Sequence, residues 1–415
     1  MKEMKTYKLG DICTIYGRIG FRGYTTEDLT DVKEEGAISL SPTNIIDGEL
    51  DLSKPTYIKW DKYYESPEIM IQSNDIVIVK TGSSIGRTTL IRTVPHPMTL
   101  NPQLVVLKNI KINPLFLSYL IKTREFQGAM QSITVGSAIP TLSQKNLASL
   151  LITIPSDSTQ LKVVNILNAL DNKILLNKRI NDNLEQQAQA LYKSWFVDFD
   201  PFKDGKFEES EIGLIPEGWC VGKAEDFYEI NIGKTPPRKE HEWFTQDKSQ
   251  NIWVSISDLG SDSRFLFDSS EYLTDKAIQK HNIVLVPENT VLLSFKLTIG
   301  RVGIAGTQLT TNEAIARFIT NSINREYTYF LLKNFNYSKL GSTSSIATAV
   351  NSKIIKAMMV LMPNNECLLN FKKLVGPIID GIKKNEEEIL RLTELRDNLL
   401  PKLMSGELKI NDLDC

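Results

Sequence analysis

Cysteine and histidine are scarce in this chain of 415 residues, which has four cysteines and three histidines. The cysteines lie far apart, at Cys13, Cys220, Cys367 and Cys415. Without a C-x-x-C pair, the sequence predicts neither a zinc cluster nor a disulfide framework. The histidines occur in polar, turn-like stretches and lack the H-E-x-x-H spacing of a metallohydrolase. We therefore expect no metal site.

Long apolar runs and an excess of one charge are also missing. No stretch of about 18 apolar residues could form a membrane span. The opening MKEMKTYKLGD has no secretory apolar region, so we expect a cytoplasmic protein. The 48 basic and 50 acidic residues give a net charge of −2, which permits nucleic-acid binding only through local patches. The length and the 41% hydrophobic content predict a folded protein of two to four domains.

The stretch KTGSSIGRTT at 80–89 resembles a phosphate-binding loop but fails as one. Such a loop has the spacing G-x-x-x-x-G-K-[ST]. Here Gly82 and Gly86 are one residue too close, and Arg87 stands in place of the lysine. An Ile-Gly-Arg sequence recurs at 299–301, where the first glycine is absent. The shared feature is therefore predicted to be a strand, a tight turn at Ile-Gly-Arg and a second strand.

Other segments also occur twice, which indicates an internal repeat. The paired segments are 74–91 with 289–305, 37–45 with 253–261, 16–23 with 231–239, and 137–155 with 344–363. This alignment places Arg18 opposite Lys234 and Arg87 opposite Arg301. Each half is predicted to be a β-rich globule.

A long helical pattern follows each globule, with seam residues at a 4-3 spacing that is typical of a coiled coil. The seam residues are Leu170, Ile174, Asn177, Leu184 and Leu191 in the first helix, and Ile378, Ile382, Asn385, Leu392 and Leu399 in the second. Asn177 and Asn385 occupy equivalent positions and are predicted to face the partner helix. The alternative is that each helix packs on its own globule. Pro377 is expected to delay or kink the second helix.

The repeats divide the chain into four segments. We predict a first globule at 1–156, a central helix at 157–203, a second globule at 204–364 and a C-terminal helix at 365–408.

A catalytic constellation is not evident. Neither DFDPF at 198–202 nor NPQL at 101–104 has the second proline of an amino-methyltransferase loop, and no G-x-S-x-G elbow occurs. The sequence is typical of a reader or scaffold, and we expect a non-catalytic protein.

These features together resemble the specificity subunit of type I restriction–modification enzymes over essentially the whole chain. The resemblance rests on the order in which several segments occur. They are GLIPEGW at 213–219, the Ile-Gly-Arg turns at 85–87 and 299–301, LITIP at 151–155, VLMP at 360–363, LEQQAQALYKSWFVDF at 184–199 and LRDNLLPKLMSGEL at 395–408.

The resemblance implies an α+β fold of two β-rich target-recognition domains separated by a pair of long antiparallel coiled-coil helices, as a pseudo-two-fold internal repeat. Each domain would read one half of a bipartite, asymmetric double-stranded DNA target. The helices would set the spacing and dock two methyltransferase subunits, through which restriction subunits join. S-adenosylmethionine, ATP and magnesium would belong to those partners, and this chain would hold no cofactor.

Residues that contact DNA are expected on turns beside strands, because polar side chains there can reach the major groove. In the first globule the candidates are Arg18, Arg22, Ser41, Asn44, Lys80, Ser83, Ser84 and Arg87; in the second they are Lys234, Arg238, Lys239, Ser257, Asp258, Lys296 and Arg301. Because the Ile-Gly-Arg arginine is shared, it is expected to bind phosphate or support the turn.

Two rival hypotheses remain. One is a coiled-coil adaptor between proteins that does not bind DNA. The other is a nucleotide-binding enzyme built on KTGSSIGRTT, against which the absence of the first glycine in the repeat argues.

Overall fold

The computed structural model describes residues 4–46, 48–135, 140–260, 263–320, 324–340 and 350–408. Parts of one predicted repeat, 137–139 and 344–349, lie outside the described residues. The chain forms two compact units. Unit 1 comprises the residues up to Asn172 and those from Thr393 onward, and unit 2 spans Lys173–Leu392.

Unit 1 contains two four-stranded sheets, ordered β10-β4-β7-β3 and β2-β11-β8-β9, and the two-stranded pairs β1-β12 and β5-β6. The strands are β1 Lys5–Lys8, β2 Thr14–Gly17, β3 Leu29–Thr30, β4 Gly36–Leu40, β5 Ile45–Ile46, β6 Glu49–Leu50, β7 Tyr57–Lys59, β8 Ile76–Val79, β9 Thr88–Leu90, β10 Met98–Leu100, β11 Leu104–Lys108 and β12 Leu151–Ile154.

Unit 2 contains sheets ordered β16-β24-β21-β22-β19 and β17-β20-β18-β23, and the pairs β13-β14 and β15-β25. The strands are β13 Phe207–Ser210, β14 Gly213–Pro216, β15 Cys220–Lys223, β16 Glu229–Ile232, β17 Phe244–Thr245, β18 Asn251–Val254, β19 Phe265–Leu266, β20 Tyr272–Leu273, β21 Val291–Ser294, β22 Val302–Ala305, β23 Thr310–Thr311, β24 Ile315–Ile319 and β25 Met359–Met362.

The two main sheets of each unit repeat the same strand order, apart from β19, which is additional in unit 2, and this confirms the predicted internal repeat. The order β2-β11-β8-β9 corresponds to β16-β24-β21-β22, and β10-β4-β7-β3 corresponds to β23-β18-β20-β17. The corresponding pairs β4 with β10 and β18 with β23 are both parallel, and in unit 2 the additional strand β19 is also parallel to its neighbour β22. The similarity of the two half-sequences thus reflects one topology used twice.

The continuous apolar run of β8 follows from burial on both faces of its sheet. Ile76 and Ile78 pack into one core cluster of unit 1, and Val77 and Val79 pack into another. Because successive side chains of a strand point to opposite faces, a strand covered on both sides lacks polar alternation. Burial of all four β-branched side chains fixes the position of the turn that follows.

Short helices cover the sheets of both units, and two long helices extend from them. The helices are α1 Leu9–Ile12, α2 Trp60–Tyr64, α3 Pro114–Lys122, α4 Arg124–Ser132, α5 Gln144–Ser149, α6 Asp157–Phe196, α7 Ala224–Phe227, α8 Asp275–Lys280, α9 Arg325–Asn334, α10 Ser352–Lys356 and α11 Asn365–Ser405.

Helices α6 and α11 have 40 and 41 residues, which corresponds to about 60 Å each. The expectation that Pro377 delays the second helix is wrong, because α11 begins at Asn365 and runs through Pro377. A proline inside a helix costs about 3 kcal/mol through a lost hydrogen bond and a clash. Burial of Val375, Ile379 and Ile382 around it offsets that cost.

Within each unit the two long helices run antiparallel. In unit 1 the Nη1 atom of Arg396 lies 3.0 Å from Oδ1 of Asp171. In unit 2 the Nδ2 atom of Asn177 donates to Oε2 of Glu388 at 2.7 Å. Within unit 2 the partner of Asn177 is Glu388 and that of Asn181 is Asn385, so residue numbers rise along α6 while they fall along α11, which defines the antiparallel direction.

The amides of Asn177 and Asn385 both lie between the helices. Asn177 is 1% exposed, and Asn385 is half-buried and donates to Oδ1 of Asn181 at 2.8 Å. All ten predicted seam residues are buried or half-buried. A polar residue in such a seam selects one register, because other registers leave its amide without a partner.

Both interpretations of the helical pattern hold in part, because the helices pack on each other and on the sheet systems. From Asn181 onward the buried positions of α6 move one residue past the predicted seam, to Glu185, Tyr192 and Phe196. A straight helix of 3.6 residues per turn drifts in this direction relative to a 3.5-residue repeat. Tyr192 and Phe196 thereby join the core of unit 2.

A partly buried group of charges, centred on Arg264 and Glu185, connects the sheets of unit 2 to its helices. The Nε atom of Arg264 donates to Oε2 of Glu185 at 2.9 Å, and its Nη2 atom donates to Oδ1 of Asp182 at 2.7 Å. Glu185 also accepts hydrogen bonds from Lys333 and from the Tyr329 hydroxyl. Burial raises the pKa of Glu185, but the bonds from Lys333 and Tyr329 outweigh it and hold that pKa below its usual value.

A second carboxylate of α11 receives the backbone of the same segment. Glu386 is 5% exposed and accepts the amide hydrogens of Arg264 at 2.8 Å and Phe265 at 2.7 Å. Burial raises the pKa of Glu386 to about 7. The start of β19 is therefore held by carboxylates of both long helices.

Candidate nucleic-acid interface

Three loops meet at one edge of the sheets of unit 1, which we call the loop edge of unit 1. They follow β4, β8 and β10. The amide of Lys80 donates to the Gln103 carbonyl and the amide of Asn101 donates to the Leu40 carbonyl, each at 2.8 Å. The turn after β2 joins them, because the Nε atom of Arg18 donates to the Leu100 carbonyl at 2.9 Å. Most of the predicted DNA contacts of the first half are thus brought together.

Unit 2 has the corresponding arrangement, which we call the loop edge of unit 2. The amide of Phe295 donates to the Ala314 carbonyl at 2.9 Å, which corresponds to the bond from Lys80 to Gln103 in unit 1. The amide of Asn312 donates to the Val254 carbonyl at 3.0 Å, as that of Asn101 does. This shared hydrogen-bond register aligns the strand ends from which the two loop edges extend.

Arg18 is withdrawn from the DNA-contact candidates because its side chain is only 4% exposed. Its guanidinium donates to the Leu100 and Arg22 carbonyls and to the Thr99 hydroxyl. Burial and these bonds together hold the guanidinium away from a phosphate or a base. The strand register also places Arg18 opposite Gly233 and not opposite Lys234.

Asn44 is withdrawn for a similar reason. It is buried, its Oδ1 atom accepts the amide of Ser41 at 2.9 Å, and its Nδ2 atom donates to the Asp51 carbonyl. Asp258 forms the same turn in unit 2, where its Oδ2 atom accepts the amide of Ser255 at 2.7 Å. Both side chains therefore shape a turn after a strand.

The turn at KTGSSIGRTT connects β8 to β9 as a hairpin. A phosphate-binding loop leads into a helix whose N-terminus faces the phosphate, and here a strand follows. Gly82 and Gly86 have φ values of 98° and 87°, which glycine adopts without strain. The nucleotide-binding hypothesis thus loses its structural basis at this turn.

The two Ile-Gly-Arg arginines have different surroundings. Arg87 is exposed. Arg301 is half-buried, and its Nη1 atom donates to the Ile256 carbonyl at 2.8 Å. Arg87 is accessible to a phosphate, whereas Arg301 ties its hairpin to the turn after β18.

The other candidates divide by exposure and by partners. Side chains that are exposed on the loop edges are Ser83, Lys239, Ser257 and Lys296, and half-buried ones are Arg22, Ser41, Lys80 and Ser84. Burial lowers the pKa of Lys80. Arg22 pairs with Glu68 at 3.4 Å, so its charge is partly neutralised.

Lys234 and Arg238 line an open cleft of about 560 Å³ at the loop edge of unit 2, together with Gly233, Thr235, Pro236, His281 and Glu313. The Nζ atom of Lys234 donates to the carbonyls of His281 and Asn282 at 3.3 and 3.1 Å. Arg238 forms two bonds of 2.8 Å with Glu271, and this pairing raises the pKa of Arg238. DNA would have to compete with these partners.

Several residues of the loop edges were missed by the sequence reasoning. Asn101 and Gln103 belong to NPQL, which drew attention only as a poor methyltransferase motif, although the stretch connects β10 to β11 at the loop edge. Leu297 is the residue that stands where the turn of unit 1 has the glycine Gly82, and the sequence was interpreted only as lacking that glycine. It is 99% exposed.

Two kinds of site are absent from the part of the chain that the structure describes. Among these residues no three His, Cys, Asp or Glu side chains are grouped so that they could hold a metal ion. Within the same residues no helix is both long and apolar enough to cross a membrane.

A family model described as the type I restriction modification DNA specificity domain matches the chain twice, at residues 1–186 and 216–367. The chain belongs to this family. It is a sequence-specific DNA recognition subunit, and the adaptor hypothesis is not favoured.

Individual relatives agree with this assignment. The chain is 29% identical over 309 residues to the type I restriction enzyme MjaIX specificity subunit of Methanocaldococcus jannaschii, covering 72% of this chain and 70% of that protein. It is 25% identical to the HindI specificity subunit of Haemophilus influenzae, covering 98% and 100%. The crystal structure of the S subunit from M. genitalium has the same fold, with a TM-score of 0.55, 14% identity, and coverage of 97% and 96%.

Proposed function

We propose that the loop edge of unit 1 reads one half of a bipartite double-stranded DNA target and that the loop edge of unit 2 reads the other half. The observation that carries this proposal is the repeated sheet order with different loop side chains. One scaffold with two sets of reading residues suits two half-sites of different sequence. The target is therefore asymmetric.

Exposed cations on these edges contact phosphates, and polar side chains contact bases. Arg87, Lys239 and Lys296 are exposed and add positive charge where the backbone of DNA would lie. Ser83 and Ser257 are exposed beside them and offer hydroxyl groups to base edges.

The long helices dock methyltransferase subunits. In unit 2 they expose apolar side chains that water solvates poorly, namely Leu175, Leu176, Ile180, Leu369, Leu374 and Leu390, each 38–53% exposed. Apolar surface of this kind is typical of protein interfaces. Two methyltransferase subunits would supply S-adenosylmethionine and the chemistry, and restriction subunits joined through them would use ATP and magnesium. This chain itself would catalyse nothing.

The test of DNA reading uses the chain purified with its cognate methyltransferase, on DNA carrying the target found by methylome sequencing. We expect binding that weakens steeply with salt and is lost when either half-site is scrambled. Equal binding to the natural target and to the two DNAs with one scrambled half-site would contradict the proposal.

Docking through the helices has a separate test. Leu176→Asp should abolish co-purification with the methyltransferase, since a carboxylate would be buried in an apolar interface. Leu214→Asp is the matched control, because Leu214 is an exposed leucine on β14. Co-purification of Leu176→Asp at the level of the control would show that the helices do not dock the partner there.

A further inference from the structure

Leu297 is the most exposed large apolar side chain in the part of the chain that the structure describes. It is 99% exposed, whereas Leu151, the next most exposed leucine, is 68% exposed. Leu297 lies at the tip of the hairpin between β21 and β22, on the loop edge of unit 2. An exposed leucine alone is common on protein surfaces, so its backbone and its neighbours decide the interpretation.

The backbone of Leu297 is strained. Its φ is 60°, a left-handed conformation that costs a leucine energy and that glycine adopts readily. The amide of Thr298 donates to the Lys296 carbonyl at 2.7 Å, which closes a three-residue turn of the rarer, strained kind. A leucine persists in such a turn only if the surroundings fix it there.

The surroundings do fix it. The Ser294 hydroxyl donates to the Thr298 carbonyl at 2.6 Å and accepts the amide of Arg301 at 3.0 Å. The Arg301 guanidinium ties the hairpin to Ile256 in the neighbouring turn. The hairpin therefore presents the leucine side chain from a constrained base.

The repeat shows which residue the turn would otherwise take. Gly86 and Gly300 donate to the carbonyls of Val79 and Ser294, respectively, so the strands that enter both hairpins are in register. The third residue after each of these accepting carbonyls is Gly82, with φ 98°, in unit 1 and Leu297 in unit 2. Unit 2 thus has leucine at the left-handed position where unit 1 has glycine, although glycine would remove the strain.

Duplex DNA is the occupant that this arrangement fits, on the basis of the function proposed above. A two-stranded ribbon enters the major groove, and the C5-methyl group of thymine is the apolar group on the base edges there. Lys296, beside Leu297, is exposed and can reach a phosphate. We propose that Leu297 contacts a thymine methyl group in the half-site that unit 2 reads and so contributes to its specificity.

The test is a double-mutant cycle on the complex with the cognate methyltransferase. Each thymine of that half-site is replaced in turn by deoxyuridine, which lacks only the methyl group, and Leu297 is replaced by Gly. For the natural chain we expect one replacement to weaken binding about fourfold, as for one exposed methyl group. Leu297→Gly should weaken binding to natural DNA by on the order of tenfold and make that thymine indifferent to replacement.

Controls separate a lost contact from a damaged hairpin. Leu297→Gly should leave thermal stability unchanged or higher, because glycine suits the turn. Leu214→Ala, on the hairpin of β13 and β14, should leave binding and the effect of deoxyuridine unchanged.

Each other outcome would overturn the proposal. If the effects of Leu297→Gly and of deoxyuridine were additive, and a 2-aminopurine placed in the half-site became more fluorescent in the natural complex, Leu297 would insert between base pairs. That is a different contact from the one proposed. A half-site without thymine, or natural affinity in Leu297→Gly, would leave Leu297 without this role while the proposed function stands. Binding of the natural chain without sequence preference would overturn both.

Discussion

Replacing Arg264 by Met should destabilise unit 2, because it leaves a buried carboxylate with only one of its two cationic partners. Arg264 is 16% exposed and lies 2.8 Å from Glu185, which is 11% exposed. Its second partner, Asp182, is 57% exposed. Met retains most of the apolar stem of the side chain, so that charge and hydrogen bonding are the main losses.

The magnitude follows from the two ion pairs taken separately. Breaking a buried pair costs about 3–5 kcal/mol. Lys333 and Tyr329 still bond to Glu185, which places the loss near the lower limit. The pair with exposed Asp182 adds less than about 1 kcal/mol. We expect a total of about 3 kcal/mol, and for a unit of roughly 200 residues a Tm lower by about 6–12 °C.

Tryptophan fluorescence during denaturation in urea is a suitable assay. Four of the five tryptophans belong to unit 2, namely Trp195, Trp219, Trp243 and Trp253. The matched control is Arg238→Met, which breaks an ion pair whose arginine is 51% exposed and should cost at most about 1 kcal/mol.

A double-mutant cycle with Glu185→Gln tests the reason for the effect. Without the charge on residue 185, loss of Arg264 should cost about 2 kcal/mol less than in the natural chain. Equal losses in both backgrounds, or a loss no greater than that of Arg238→Met, would refute the role assigned to the buried charges.

Three further predictions have defined outcomes. Arg87→Ala should weaken DNA binding across all sequences and reduce the slope of affinity against salt concentration by about 1. Arg301→Ala should mainly lower thermal stability, since Arg301 bonds to a backbone carbonyl. Equal salt slopes for the natural chain and Arg87→Ala would exclude a phosphate contact. Replacing both Asn177 and Asn385 by Leu should raise thermal stability and allow the helices more than one register. Cross-linking between the helices would detect the additional registers, and a single cross-linking pattern would contradict this prediction. Burial raises the pKa of Glu386 from 4.5 to about 7, so between these pH values the folded chain binds a proton that the unfolded chain does not. Stability should therefore fall as pH rises from 4.5 to 7. Glu386→Gln should flatten this part of the profile of stability against pH, and an unchanged profile would disprove the linkage.

The internal repeat and the long helices could be predicted because they depend on periodicity. Apolar side chains every three or four residues have few structural solutions, and the ten seam residues from Leu170 to Leu399 are all sheltered from water. The tight turn at Ile-Gly-Arg was likewise predictable, since Gly86 and Gly300 mark left-handed positions.

Roles that depend on tertiary partners were not predictable. Arg18 and Asn44 resemble groove-reading residues in the sequence, because polar side chains after strands serve both DNA contacts and turn structure. Only the proximity of Leu100 to Arg18 and of Asp51 to Asn44 separates the two roles. Leu297 was overlooked because a sequence alignment shows that a glycine is missing at this position but not that the leucine in its place is exposed.

The core of unit 2 includes α6 residues such as Tyr192 and Phe196 and α11 residues such as Phe371 and Ile382. A chimaera that exchanged only the predicted globule at 204–364 would separate these side chains from the sheets they pack on and would divide the charge cluster around Arg264. A graft that carries the flanking helix turns keeps both intact. The transplantable module for engineering a new DNA specificity is therefore the globule together with its share of both helices, joined to the host where the helices contact mainly each other.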